Sequence, residues 1–168
     1  MNDFSDLLDV VLGLKRELAE AKTMIRNMVR TGTVEERDAK KGYRVSWGND
    51  DEGKPILSPW MPHPEAGGTD KSWNPLAKGE IVTSINPGGD PRQGFLVRGG
   101  FGGQFAQPSE SLDESVRELQ GGKMRETVSK DGDRNVTLKS ETIKASGTVT
   151  IEAAVLVLKA GQIQMIET

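Results

Sequence analysis

The chain has 168 residues, of which 35% are apolar and 5% aromatic, with 20 glycines. Ordinary globular domains use roughly 45–50% apolar residues, so one large core is excluded in favour of small modules in series. Its 22 basic and 25 acidic residues leave a formal net charge of -3, and it holds no cysteine and one histidine. That argues against a specific nucleic-acid partner and rules out thiol chemistry, disulfides, cysteine-based zinc sites and any two-histidine metal site within one chain.

Asp3, Asp6 and Asp9 stand where a secretory signal needs positive charge, so no signal peptide is expected and synthesis in a cytoplasm is the default. Phe4, Leu7, Val11, Leu14, Leu18, Ala21, Ile25 and Met28 follow at alternating spacings of three and four. This is the seam of a coiled coil, and it predicts a helix over residues 1–30. Val11, Leu18 and Ile25 hold one seam position and Leu7, Leu14, Ala21 and Met28 the other, a mixture that permits two or three strands. A lone amphipathic helix packed on its own domain is the alternative. The stripe is narrow, however, and Lys15, Arg16, Glu17, Glu20, Lys22 and Arg26 solvate the other faces.

From Val29 onward short alternating segments are punctuated by glycine and proline. Strands are predicted at Thr31–Arg37, Tyr43–Trp47, near Leu57–Met61, Gly79–Asn86 and Gly94–Gly99, with turns at Asn49–Gly53 and Asn86–Pro91. Five short strands over 31–106 suit an OB-type barrel. Residues 107–122 read as a polar linker with two helical turns, since Ser111 and Glu114 match a capping box ahead of Leu112, Val116 and Leu119, with Gly121 as a stop. Arg125–Val128 and Asn135–Leu138 then flank an Asp131-Gly132 hairpin signal.

Over 123–168 apolar and polar residues alternate in short segments: Val136 and Leu138, Ile143, Val149 and Ile151, Val155 and Val157, Ile163 and Met165, six to eight residues apart. This is a short-period β repeat. One copy cannot enclose a core, so several chains must supply the walls; a meander of ordinary hairpins packed on the barrel is the alternative. The longest wholly apolar run, Ala153–Leu158, is far below the ~20 residues of a membrane-spanning helix.

Chemistry is sparse. His63 in Pro62-His63-Pro64 has no second histidine or paired nucleophile, and reads as a loop residue. Asn49-Asp50-Asp51-Glu52-Gly53 lacks the alternate acids and later glutamate of a calcium loop. Gly99-Gly100-Phe101-Gly102-Gly103 lacks the Gly-Lys-Ser/Thr of a phosphate cradle. Trp47, Trp60 and Trp73 could be a stacking platform, but no Lys/Arg cluster surrounds them, and packing is the favoured reading.

Several ordered motifs carry a family likeness. Arg30-Thr31-Gly32-Thr33-Val34 follows the coiled coil, then come Tyr43-Arg44-Val45, Ser58-Pro59-Trp60, the loop to Trp73, and Pro75 with Gly79-Glu80-Ile81-Val82. Pro87-Gly88-Gly89-Asp90-Pro91 with Gly94 completes the series. Together they resemble the phage baseplate assembly protein V family, the central spikes of contractile-tailed phages and R-type bacteriocins. The resemblance implies a mainly β homotrimer with an N-terminal coiled-coil helix, an OB-type barrel and a C-terminal trimeric, intertwined β-helix forming a needle. It implies a structural, non-enzymatic role in the virion tail baseplate, with the chain made in the host cytoplasm and no cofactor.

Hub or tail-tube proteins would then meet the N-terminal side, and the needle would touch the host outer membrane transiently as it pierces. Several members end in a His-x-His pair that binds iron at the tip; this sequence ends Gly161-Gln162-Ile163-Gln164-Met165-Ile166-Glu167-Thr168, so a separate tip protein is expected instead. The competing reading is a trimerised OB-fold binding module for nucleic acid or glycan. A hydrolase attached to the spike has no room in the remaining residues and no evident carboxylate pair.

Overall fold

The computed structural model describes residues 3–65 and 67–159. The chain is mainly β with one N-terminal helix, and it divides between Glu110 and Ser111 into two compact units.

In the first unit α1, Asp3–Met28, runs directly into β1, Val29–Asp38. β2 is Gly42–Asn49, β3 Pro55–Leu57, β4 Ile81–Ile85 and β5 Phe95–Arg98. They form one antiparallel sheet in the order β3-β2-β1-β4-β5. β1 is shared between two neighbours. Val29–Thr33 pair with β4, Thr33–Asp38 pair with β2, and the register shifts between Val34 and Glu36. An irregularity of this kind bends a strand and lets a small sheet wrap. Gly32 sits where the strands approach most closely: a Cβ there would lie 2.2 Å from the Ser46 carbonyl oxygen, so only glycine fits. Among the described residues β3 and β5 are not paired to each other, and the sheet stays open.

The core holds Val34, Tyr43, Val45, Met61, Leu76, Val82 and Leu96, with Trp47 packed against it. Tyr43 and Val45 alternate inward along β2, as Val82 and Ser84 do along β4. Two buried hydroxyls, those of Ser58 and Tyr43, are paired within the core. The Ser58 hydroxyl accepts from the Val45 N–H at 2.9 Å and donates to the Pro59 carbonyl at 2.7 Å, and the Tyr43 hydroxyl accepts from the Leu76 N–H at 2.9 Å. The Arg44 Nε–H reaches the Ser58 carbonyl at 2.9 Å. The Tyr43-Arg44-Val45 and Ser58-Pro59-Trp60 motifs thus meet in one knot of core and hydrogen bonds. The strand expected near Leu57–Met61 is shorter and earlier: proline at 59 and 62 interrupts the ladder, and Met61 retains a single antiparallel bridge to Tyr43.

The Asn86–Pro91 turn folds as two short 3-10 segments, Pro87–Gly89 and Pro91–Gln93, the first of them under the end of α1. The Asn86 N–H donates to the Met28 carbonyl at 2.7 Å and its side-chain amide to the Asn27 carbonyl at 2.6 Å. Helix ends leave carbonyls without partners, and Asn86 takes two of them. Gly89, at φ +74, lies so close that a Cβ would fall 2.5 Å from the Met24 carbonyl oxygen.

The second unit is a three-stranded antiparallel meander of β6, Glu114–Leu119, β7, Met124–Ser129, and β8, Arg134–Thr137. β6 corrects the helical turns expected inside 107–122. The Ser111 hydroxyl accepts from the Asp113 N–H at 3.2 Å, and residues 114–119 pair with β7 from Glu114↔Ser129 to Leu119↔Met124. Gly121, expected as a helix stop, belongs to the turn between these strands. The Asp131-Gly132 hairpin forms as expected, with the Gly132 N–H donating to the Ser129 carbonyl at 3.0 Å. From 138 to 159 the single chain makes no strand.

Candidate self-association surfaces

α1 exposes its entire seam. Phe4 is 78% and Ile25 67% exposed, and Leu7, Val11, Leu14, Leu18 and Met28 are exposed between them, as is Ala21. A helix that buries none of its apolar stripe within its own chain has that stripe available to another surface. Among the described residues the helix is not packed along its length on its own domain, and the Asn86 and Gly89 contacts hold it at its C-terminal end. Leu8, Val10, Leu12 and Met24, not singled out by the seam spacing, are exposed as well. With the seam residues as a and d of a heptad, Leu8 falls at e, Val10 and Met24 at g and Leu12 at b, so the apolar surface is broadest near the N-terminus.

The C-terminal series behaves the same way. Ile143, Val149, Ile151, Val155 and Val157 are exposed, Val155 at 76%, while Val136 on β8 is 37% exposed and Leu138 is half-buried. Leu156 and Leu158 alternate with Val155 and Val157 and are equally bare, so this stretch is apolar on both sides. Ile163 and Met165 lie outside the described residues.

The tryptophans do not share a platform. Arg30 stacks over Trp47 at 4.0 Å and Lys41 lies 5.6 Å from Trp60, whereas Trp73 leans on His63 with ring centroids 4.6 Å apart. The His63 Nε2–H donates to the Ala39 carbonyl at 3.2 Å. Two nearby carboxylates are held below their ordinary range. Asp38 is lowered by the Lys41 and Lys40 backbone N–H groups on its Oδ1, and Glu65 by the Ser72 hydroxyl and then by Arg98. Arg98 also meets Glu80 at 2.7 Å, tying the loop before β4 to β5. Among the described residues no three His, Cys, Asp or Glu side chains gather as a metal-binding group, and no helix is long and apolar enough to cross a membrane.

No family model matches the sequence. A search of characterised proteins finds the spike protein of Escherichia phage P2, 29% identical over 148 residues, which cover 86% of this chain and 66% of the relative. The chain thus spans about 66% of the length of the relative it matches. The likeness to the phage baseplate central spike family, read from ordered motifs, is borne out by similarity to a phage spike protein along most of the chain.

Proposed function

We propose that the chain is the central spike of a contractile tail baseplate, a homotrimeric needle that helps pierce the host envelope during contraction. The observation that carries this reading is the bare apolar series at each end of the chain, on a sequence similar to a phage spike protein. Burying a Leu, Val or Ile side chain contributes about 1.5–3 kcal/mol, and among the described residues both series are exposed. Like copies can bury both: α1 pairs along its heptad seam as a coiled coil, and the C-terminal repeat intertwines as a trimeric β-helix. Three copies rather than two follow from the family resemblance. The strand order and the shared, bent β1 support an OB-type barrel between these elements.

Intertwined strands suit a load-bearing role because each backbone hydrogen bond and each buried Val or Ile is shared between chains, so no copy can peel away alone. In this reading the N-terminal side meets hub or tail-tube proteins, the C-terminal end carries a separate tip protein, and contact with the outer membrane is transient. The chain is made in the host cytoplasm, and the spike acts without catalysis or cofactor. Native mass spectrometry of the full chain tests the reading. Three times the chain mass is expected, and a monodisperse monomer at micromolar concentration overturns it.

A further inference from the structure

Trp73 is 61% exposed, yet its ring is anchored. It tilts at 53° against His63, which stands edge-on to the buried Tyr43 ring at 4.7 Å and an interplanar angle of 78°. Tyr43 and His63 are in turn fixed by the Leu76 N–H and the Ala39 carbonyl. An exposed indole on a stack rooted in the core is a preformed apolar face, with little ordering entropy left to lose on binding.

Two cavities share the His63–Trp73 pair. One, of about 230 Å³, is lined also by Arg37 and Asp38; the other, of about 420 Å³, by Glu65, Lys71 and Ser72. The lining therefore combines one bare aromatic face, carboxylates that only accept hydrogen bonds and cationic side chains that only donate them. Both backbone N–H groups that Asp38 takes fall on the same oxygen, Oδ1.

The lining discriminates between ligand classes. A phosphate or a nucleic-acid backbone would meet Asp38 and Glu65 on a chain of net charge -3. A quaternary ammonium would meet Arg37 and Lys71, and a lipid tail would desolvate all four charged groups. A pyranose fits: its C–H face packs on an indole, and each hydroxyl both donates and accepts.

We propose that the cavity lined by Arg37, Asp38, His63 and Trp73 is a carbohydrate subsite, in which Trp73 stacks on a neutral pyranose ring and Asp38 and Arg37 hold its hydroxyls. The site lies within one chain and goes beyond the spike reading, so it holds or fails whatever mass the protein has in solution.

Saturation-transfer NMR on the full chain with the methyl glycosides of glucose, galactose and N-acetylglucosamine, each at millimolar concentration, tests the subsite. Transfer to ring C–H protons of at least one glycoside is expected. It should fall about tenfold in Trp73→Ala and persist in Trp60→Ala, as expected for loss of a central aromatic anchor. In the unaltered chain the same glycoside should slow oxidation of the Trp73 indole by N-bromosuccinimide, a readout that needs no variant. The proposal is overturned if none of the three glycosides receives transfer, if Trp73→Ala binds as the unaltered chain does, or if a thymidine dodecamer protects Trp73 where the glycosides do not.

Discussion

The side-chain amide of Asn86 donates to the backbone carbonyl of Asn27 at 2.6 Å, across 59 positions of sequence. Asn86 is fully buried, and its own N–H takes the next carbonyl, that of Met28. A tertiary asparagine therefore terminates α1 in place of a local cap. Asn86→Ala should cost about 1–3 kcal/mol, because it leaves a part-buried helix-end carbonyl without its donor. Thermal melting would register the loss, and a melting temperature unchanged in Asn86→Ala would show that the contact contributes nothing.

Gly89→Ala attacks the same junction from the other side. The added methyl meets the Met24 backbone and the residue must keep φ at +74. A loss of at least about 1 kcal/mol is expected, larger than for Gly88→Ala, where nothing lies within 4 Å of the added carbon although φ is similarly positive at +61. Chemical denaturation of the two variants side by side isolates the steric part.

Leu14→Asp with Leu18→Asp places charge on the exposed seam of α1. If that seam is a trimer contact, the double variant should lose at least about 2 kcal/mol from the N-terminal association and part of its helical circular dichroism. The mass of a trimer held by the C-terminal repeat should remain. Complete dissociation would move the stabilising contacts to α1, and no change in helicity would remove α1 from the interface.

Val155→Asp and Thr150→Asp form a matched pair, since both positions are exposed in the single chain. In a shared core Val155→Asp brings three like charges together without partners, and loss of soluble trimer or aggregation through open strand edges is expected. Thr150→Asp should stay within about 0.5 kcal/mol of the parent. Size-exclusion chromatography of both decides it; equal tolerance would end the needle reading of 138–168.

Acid should weaken the first unit through Glu65 and Asp38. Both carboxyls are lowered in the folded chain from ordinary values of 4.5 and 3.8, so their contribution is fully present above those values and is lost as pH falls through the lowered folded ones. Glu65→Gln should flatten the fall in melting temperature below about pH 4.5 while leaving the neutral value less affected than Arg98→Ala, which also abandons Glu80. A slope identical in parent and Glu65→Gln would remove Glu65 from the acid response.

The elements legible in the sequence were those whose signals are local. The seam from Phe4 to Met28 and the change of period at Val29 place α1 and its end within two residues, and alternation between turn residues places β1, β2, β4, β5, β7 and β8. β6 was hidden because Ser111-x-x-Glu114 mimics a capping box and Leu112, Val116 and Leu119 also fit a helical spacing. Pairing with β7 decided the outcome, and pairing is not a local property. Nothing near Asn86 marks it as the cap of a helix 59 residues earlier. The exposed apolar series at both ends were legible because apolar residues recur in each at short, regular spacings. The His63–Trp73 cleft was not, because it joins β1 and β2 to a loop without periodicity.

No residue intervenes between α1, which ends at Met28, and β1, which begins at Val29. Each residue inserted at that joint would turn the helix by about 100° and lift it by about 1.5 Å against a sheet that Asn86 and Gly89 hold in place. The rotational phase of the seam is therefore locked to that of the sheet, and torque on the helix reaches the strands without a swivel. Changes in the length of α1 that preserve this phase come in steps of about seven residues, so a helix lengthened by one heptad should assemble where one lengthened by three or four residues should not.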